Sequence, residues 1–126
     1  MFEATIAGSL PRPGWLAEPE RLKGGWKLSG DELKDGQRRA CKEWIEHQEK
    51  AGISIVTDGE VFRRHFVHSF LKGISGIDQN KKTVMGIRDN RYDLEVPTVT
   101  AAISRPKPVF LEDFKYTRSL TDKPLK

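Results

Sequence analysis

Apolar and polar positions along the chain follow two different periods, with aperiodic stretches between them, and the changes of period mark the elements. Glu3-Ala-Thr-Ile-Ala7 reads as a short apolar strand running into Gly8-Ser9. Leu10-Pro-Arg-Pro-Gly14 then forces an extended turn, because each proline disfavours helix in the residue before it. Trp15 to Leu28 has no period and reads as a long loop or short helix. Ser29-Gly-Asp-Glu32 has capping-box spacing, in which the serine and glutamate side chains satisfy backbone donors reciprocally, and it predicts a helix start. Leu33, Ala40, Trp44 and Ile45 recur near helical spacing, Lys34, Arg38, Lys42, Glu46 and Lys50 take the wet face, and Gly52 supplies the C-terminal cap.

With Gly52 as the connector, the helix feeds into Ile53-Ser-Ile-Val-Thr57, a branched apolar run expected as a buried strand that breaks into Asp58-Gly-Glu60. Strand, helix, strand in that order predicts a parallel unit with a right-handed crossover. Phe62, Phe66 and Phe70 repeat every fourth position with Leu71 beside them, which predicts a second helix ended by Gly73, its aromatic stripe facing the core. The period then falls to two over Thr83–Arg88 and Leu94–Ser104. Met85 and Ile87 lie on one face and Val99, Ala101 and Ile103 on another, so the two runs predict a β-hairpin that breaks the βα rhythm as an insertion would. After Arg105-Pro-Lys-Pro108, residues Phe110, Leu111 and Phe114 predict an amphipathic helix to about Leu120, and Thr121–Lys126 approaches another strand. The fold class is therefore α/β. Elements already built would leave apolar faces partly uncovered, so residues 1–126 are expected to form a single partial domain, the N-terminal portion of something longer.

The 126 residues suffice for one domain with a real core, and 22 basic against 18 acidic residues give +4 and a mild tilt towards anionic partners. The pairs Arg38-Arg39, Arg63-Arg64 and Lys81-Lys82 are too short and scattered for a nucleic-acid tract, and aromatics do not alternate with them. One cysteine, Cys41, excludes an internal disulfide and fits a reducing compartment. The N-terminus carries Glu3 and a Gly-Pro-rich segment instead of a signal peptide, and no apolar run is long enough to span a bilayer. A cytoplasmic chain with no membrane and no nucleic-acid partner is expected.

Candidate chemistry gathers at two strand ends. Ser9 at the first and Asp58 and Glu60 at the second would lie side by side on one rim of a parallel sheet. Backbone N–H groups near Gly8-Ser9 suit a carboxylate and Glu60 suits an ammonium, which together describe an amino-acid clamp. Two plainer readings stay open: Gly-Ser before two prolines as a simple loop, and Asp58 and Glu60 as caps of a helix beginning near Val61. Cys41, His47, His65 and His68 lack recognised metal-ligand spacing, and Cys41 has no glycine-rich turn or paired histidine to make it a nucleophile.

Three stretches in order, Ile6-Ala-Gly-Ser-Leu-Pro-Arg12, Thr57-Asp-Gly-Glu60 with Arg63-Arg64, and Ile103-Ser-Arg-Pro106 through Tyr116-Thr-Arg-Ser-Leu-Thr-Asp-Lys-Pro124, resemble the cobalamin-independent methionine synthase family, in its short form. The resemblance implies the N-terminal part of a (β/α)8 TIM barrel with a β-hairpin insertion. It also implies methyl transfer from 5-methyltetrahydrofolate, commonly polyglutamylated, to homocysteine. Ala7, Gly8, Ser9 and Glu60 match the family's substrate-binding positions. Arg91, Tyr92 and Asp93 fall in the hairpin that touches folate there. Asp58 departs from the histidine of many long-form members and is a further possible contact. Zinc is the full-length family's metal. Its ligands lie in the family beyond the stretch ending at Lys126, so the isolated chain is expected to hold no zinc, to contain no catalytic residue of its own and to be inactive alone. The alternative is a self-associating part-barrel module without catalysis, and on either reading a homodimer or domain-exchanged oligomer is expected through open sheet edges.

Overall fold

The structure, a computed structural model, describes residues 2–18, 25–65 and 67–126. It divides into two compact units, Met1–Phe66 with Phe110–Lys126, and Val67–Val109.

The first unit is organised on helix α1, Gly30–Lys50. Gly36, Ala40, Cys41, Ile45 and Gln48 form its buried stripe, and the five predicted wet-face residues from Lys34 to Lys50 are all exposed. The capping box is not made. Ser29 occupies the N-cap position without a side-chain hydrogen bond, and Gly30 at φ +56 leaves the right-handed conformation that the box requires. At the other end the cap forms as expected: Gly52, at φ +76, donates to the Glu49 carbonyl at 3.1 Å and Ile53 to Gln48 at 3.0 Å, a Schellman pair that turns the chain sharply.

That turn delivers Ile53–Thr57 between two other extended segments. Thr5 bridges Ile55 and Leu125 bridges Val56, both in parallel. Ser54 and Ile55 donate to the Ala4 carbonyl at 3.0 and 3.1 Å, Val56 to Pro124 at 3.0 Å, and Lys126 to Val56 at 2.9 Å. The predicted parallel pairing of the first two extended segments is therefore present, with the segment before Lys126 on the other side, although each pairing is a single bridge rather than a full strand. Helix α1 and the third helix of the chain, Leu111–Arg118, pack on these segments, and Leu16, Ala40, Cys41, Ile45, Val56 and Val61 close the core. Full burial of Leu16, Ile45, Val56 and Val61 stabilises by roughly 1.5–3 kcal/mol each. The two helices meet through polar contacts as well: Tyr116 Oη donates to the Arg38 carbonyl at 3.2 Å, and Cys41 Sγ lies 3.5 Å from Thr117 Oγ1.

One polar residue on the buried stripe of α1 replaces a missing strand contact. Gln48 Nε2 donates to the Thr57 carbonyl at 2.8 Å while its Oε1 accepts the Thr57 N–H at 2.9 Å. The carboxamide thus satisfies both backbone groups of a buried residue that sits just past the bridged positions.

The helix expected from Val61 to Gly73 is largely absent. Residues 61–65 run through turns, and only α2, His68–Leu71, is helical. Side chains have taken the carbonyls that a helix would need: Gln37 Nε2 donates to Phe62 at 3.2 Å, and Arg12 Nη2 donates to Arg63 at 2.6 Å and Arg64 at 3.2 Å. The middle phenylalanine of the expected stripe, Phe66, lies outside the described residues.

The second unit carries α2 and the predicted hairpin, longer than its periodic core: β1, Ser75–Ile87, pairs antiparallel with β2, Tyr92–Ser104. Thr83, Met85 and Ile87 oppose Val96, Leu94 and Tyr92 on one face, and Val84 and Ile77 oppose Glu95 and Val99 on the other. The register slips between Asp78 and Lys82, where the Asp78 carboxylate holds the N–H groups of Asn80 at 2.8 Å and Lys81 at 3.2 Å. The third helix of the chain, Leu111–Arg118, is α3. No helix among the described residues is long and apolar enough to cross a membrane.

Replacing Gln48 by leucine keeps the volume and leaves the Thr57 N–H and C=O buried without partners. The expected loss is about 2–5 kcal/mol, read in urea as a lower midpoint at unchanged slope. An unchanged midpoint would show that Gln48 does not carry the strand end.

Candidate functional site

The two candidate strand ends meet through a backbone hydrogen bond: Leu10 N–H donates to the Gly59 carbonyl at 3.0 Å. Gly59 stands at φ +65 and a Cβ there would come within 2.9 Å of the Leu10 side chain, so only glycine lets the two loops close on each other. Ala7, Gly8 and Ser9 lie immediately before this contact and are exposed, while Asp58-Gly-Glu60 lies on its other side. The sequence-predicted residues Gly8, Ser9 and Glu60 are thereby brought to one rim of the first unit.

Glu60 follows Gly59 in the left-handed region, at φ +60, a conformation that costs a non-glycine residue roughly 1–2 kcal/mol. Three contacts hold it there. Its N–H donates to Asp58 Oδ1 at 2.9 Å, its carbonyl accepts the Arg63 N–H at 3.1 Å, and its carboxylate pairs with the Arg63 guanidinium at 2.9 Å. Asp58 and Glu60 do not cap a regular helix, since residues 61–65 form none. Asp58 closes the turn and Glu60 forms an ion pair, which sets aside the helix-cap reading. Backbone held in the left-handed region by such local contacts is a common feature of ligand sites.

Helix α1 positions this rim from behind. Gln48 fixes Thr57, Gln37 fixes Phe62, and Trp44 Nε1 donates to the Pro11 carbonyl at 3.1 Å. Neither Gln37 nor Gln48 stood out in the sequence as a site residue. A signal was present for Gln48, a polar residue three positions after Ile45 on an otherwise apolar stripe.

Next to the rim, a pocket of about 260 Å3 is lined by Asp58, Arg63, Asp113 and Lys126 and walled by Phe62, Phe110, Phe114, Thr117 and Leu125. Burial pushes the Asp113 carboxyl above the usual carboxylate range, the Asp58 charge adds to this, and Arg38 opposes it. Cys41 is fully buried behind Thr117, and burial pushes its thiol up to about 11. A thiol so held is inert at neutral pH.

Arg91, Tyr92 and Asp93 belong to the second unit, at the hairpin turn, where Tyr92 opposes Ile87 and Asp93 opposes Gly86. Among the described residues no three of His, Cys, Asp and Glu are grouped to hold a metal ion, so these residues do not fit zinc.

Residues 2–126 match the family model described as the catalytic domain of cobalamin-independent synthase. The chain belongs to this family. A methionine synthase of Saccharolobus solfataricus is 30% identical over 96% of this chain and 36% of its own length. A 5-methyltetrahydropteroyltriglutamate–homocysteine methyltransferase of Thermotoga maritima is 27% identical over 100% of this chain and 17% of its own. Among solved structures, a B12-independent methionine synthase from Shewanella sp. W3-18-1, in complex with selenomethionine, is 48% identical with a TM-score of 0.86, covering 97% of this chain and 36% of that one. The chain thus spans about a third of the length of the methionine synthases it matches.

Cys41 supplies a pH test of the packing behind the rim. Its thiol is raised in the folded state, so its contribution to stability is complete below pH 9 and is lost as pH rises from 9 towards 11. Stability should fall across that window by at most about 2 kcal/mol more than in Cys41→Val. An equal fall in both proteins would contradict the buried thiol.

Proposed function

We propose that the chain provides the amino-acid-binding rim of a methionine synthase-type methyltransferase, one that moves a methyl group from 5-methyltetrahydrofolate, commonly polyglutamylated, to homocysteine. The contact between Leu10 and Gly59 carries the reading, because it sets exposed Gly8-Ser9 beside Glu60. In this reading the three bridged segments are the opening strands of a (β/α)8 barrel and the hairpin is its insertion. A barrel gathers substrates at the carboxyl ends of its strands, where this rim lies.

The chemistry asks for orientation first. A tertiary amine is a poor leaving group and a thiol a poor nucleophile, so the sulfur must be held in line with the methyl carbon. The backbone N–H groups of Gly8 and Ser9, with the Ser9 hydroxyl, receive the substrate carboxylate. Glu60 receives the ammonium as a charge-assisted acceptor. Ala7 lies against the same amino acid. Asp58 acts by holding the Glu60 N–H rather than by touching substrate. Arg91, Tyr92 and Asp93 are assigned to the methyl donor. The neighbour solved with selenomethionine supports an amino acid of the methionine type as the ligand.

Titrating L-methionine into the full chain tests the clamp. Glu60→Gln should weaken binding about 10- to 100-fold, the worth of one hydrogen bond to a charged group, and N-acetylmethionine should bind the unaltered chain equally poorly. Equal affinity of Glu60→Gln and the unaltered chain for L-methionine would remove Glu60 from the site.

A further inference from the structure

In the structure the Glu60 carboxylate already has a cationic partner. Arg63 Nη2 lies 2.9 Å from Glu60 Oε1, both side chains being about a quarter exposed at 28%. A ligand ammonium arriving at Glu60 meets a guanidinium in its place, and two cations cannot share one carboxylate without repulsion. The expelled cation needs somewhere to go.

The structure provides that place in the pocket on the other side of Arg63. Arg63 itself lines it, and so do Asp58 and Asp113. The guanidinium carbon already stands 5.7 Å above the ring of Phe110, three residues before Asp113 along the same turn of chain. Asp113 is half-buried, and no cation is ion-paired with it among the described residues. The charges that face it are Asp58 from the rim turn, Arg38 from α1 and Glu112 from its own helix, with Arg63 and Lys126 on the pocket wall. Burial and the Asp58 charge both disfavour its ionised form, so an approaching guanidinium gains more there than at an exposed carboxylate.

We propose that Arg63 is an exchangeable counter-ion: it holds Glu60 while the rim is empty and moves into the pocket to pair with Asp113 when a ligand ammonium takes its place. The inference rests on the reading of Glu60 as the ammonium acceptor. It makes Arg63 a specificity residue, since a ligand lacking a cation cannot displace it and finds Glu60 blocked. It also keeps the left-handed Glu60 turn charge-paired in both states.

The test follows the Asp113 side-chain carboxyl by carbon NMR across a pH titration of the full chain. In Glu60→Gln, where Arg63 has lost its first partner, the Asp113 pKa should fall by about one unit or more. The double variant Glu60→Gln with Arg63→Gln should abolish that fall, which separates transfer of the guanidinium from simple loss of the Glu60 charge. Should Glu60→Gln fail to fold, Glu60→Asn, whose side chain tolerates the left-handed backbone, replaces it. Saturating L-methionine on the unaltered chain should produce the same fall as Glu60→Gln. An Asp113 pKa unchanged in Glu60→Gln would overturn the exchange even with Glu60-dependent methionine binding intact. A fall in Glu60→Gln but none with bound L-methionine would overturn the ligand-driven step and count against Glu60 as the ammonium acceptor.

Discussion

The carboxamide of Gln48 gives Thr57 what a neighbouring strand gives a residue inside a sheet, one acceptor and one donor at hydrogen-bonding distance. The parallel pairing on either side of Ile53–Thr57 is reduced to single bridges at Ile55 and Val56, so the last residue before the Asp58 turn has no strand partner of its own. A buried N–H and C=O without partners would cost about 1–3 kcal/mol each. Helix α1 meets that need, and in doing so fixes the point at which the chain leaves the sheet and the rim begins.

The rest of the rim depends on that fixed point. With Thr57 anchored, its hydroxyl receives the Gly59 N–H at 3.3 Å and Asp58 receives the Glu60 N–H, so two consecutive left-handed residues are held in register. Trp44 and Gln37 extend the same support to Pro11 and Phe62. Both loops of the rim are thus fastened to a single rigid helix. Fastening of this kind holds loop positions fixed, and in any site misplacement of a reacting atom by about 1 Å can cost orders of magnitude in rate. The charges follow the same plan. Glu60 and Arg63 pair at the rim, and Arg63 also lines the pocket behind it together with Asp58 and Asp113.

Much of this was legible in the sequence because it rests on periodicity and on glycine. The buried stripe of α1, the Gly52 turn, the parallel pairing of the first two extended segments and the two faces of the hairpin all follow from spacing. The convergence of Gly8-Ser9 with Glu60 follows from parallel topology. What the sequence misjudged were places where a glycine's backbone conformation or a distant side chain overrode the local pattern. Ser29 has the spacing of a capping box, but Gly30 takes a left-handed φ and the box is lost. Phe62, Phe66 and Phe70 have helical spacing, but the carbonyls of Phe62, Arg63 and Arg64 go to Gln37 and Arg12, more than twenty residues away. Contacts of that range leave no local pattern. The turn-closing contact of Asp58 with the Glu60 N–H left no signature in the sequence for the same reason.

The central claim is that two strand ends, fastened by one helix, form a single amino-acid rim. A proton–nitrogen correlation spectrum of the full chain titrated with L-methionine tests it most directly. The account predicts that the amide signals of Gly8, Ser9 and Glu60 shift together along one saturating curve. Saturable shifts confined to one of the two segments, or found at neither, would contradict it.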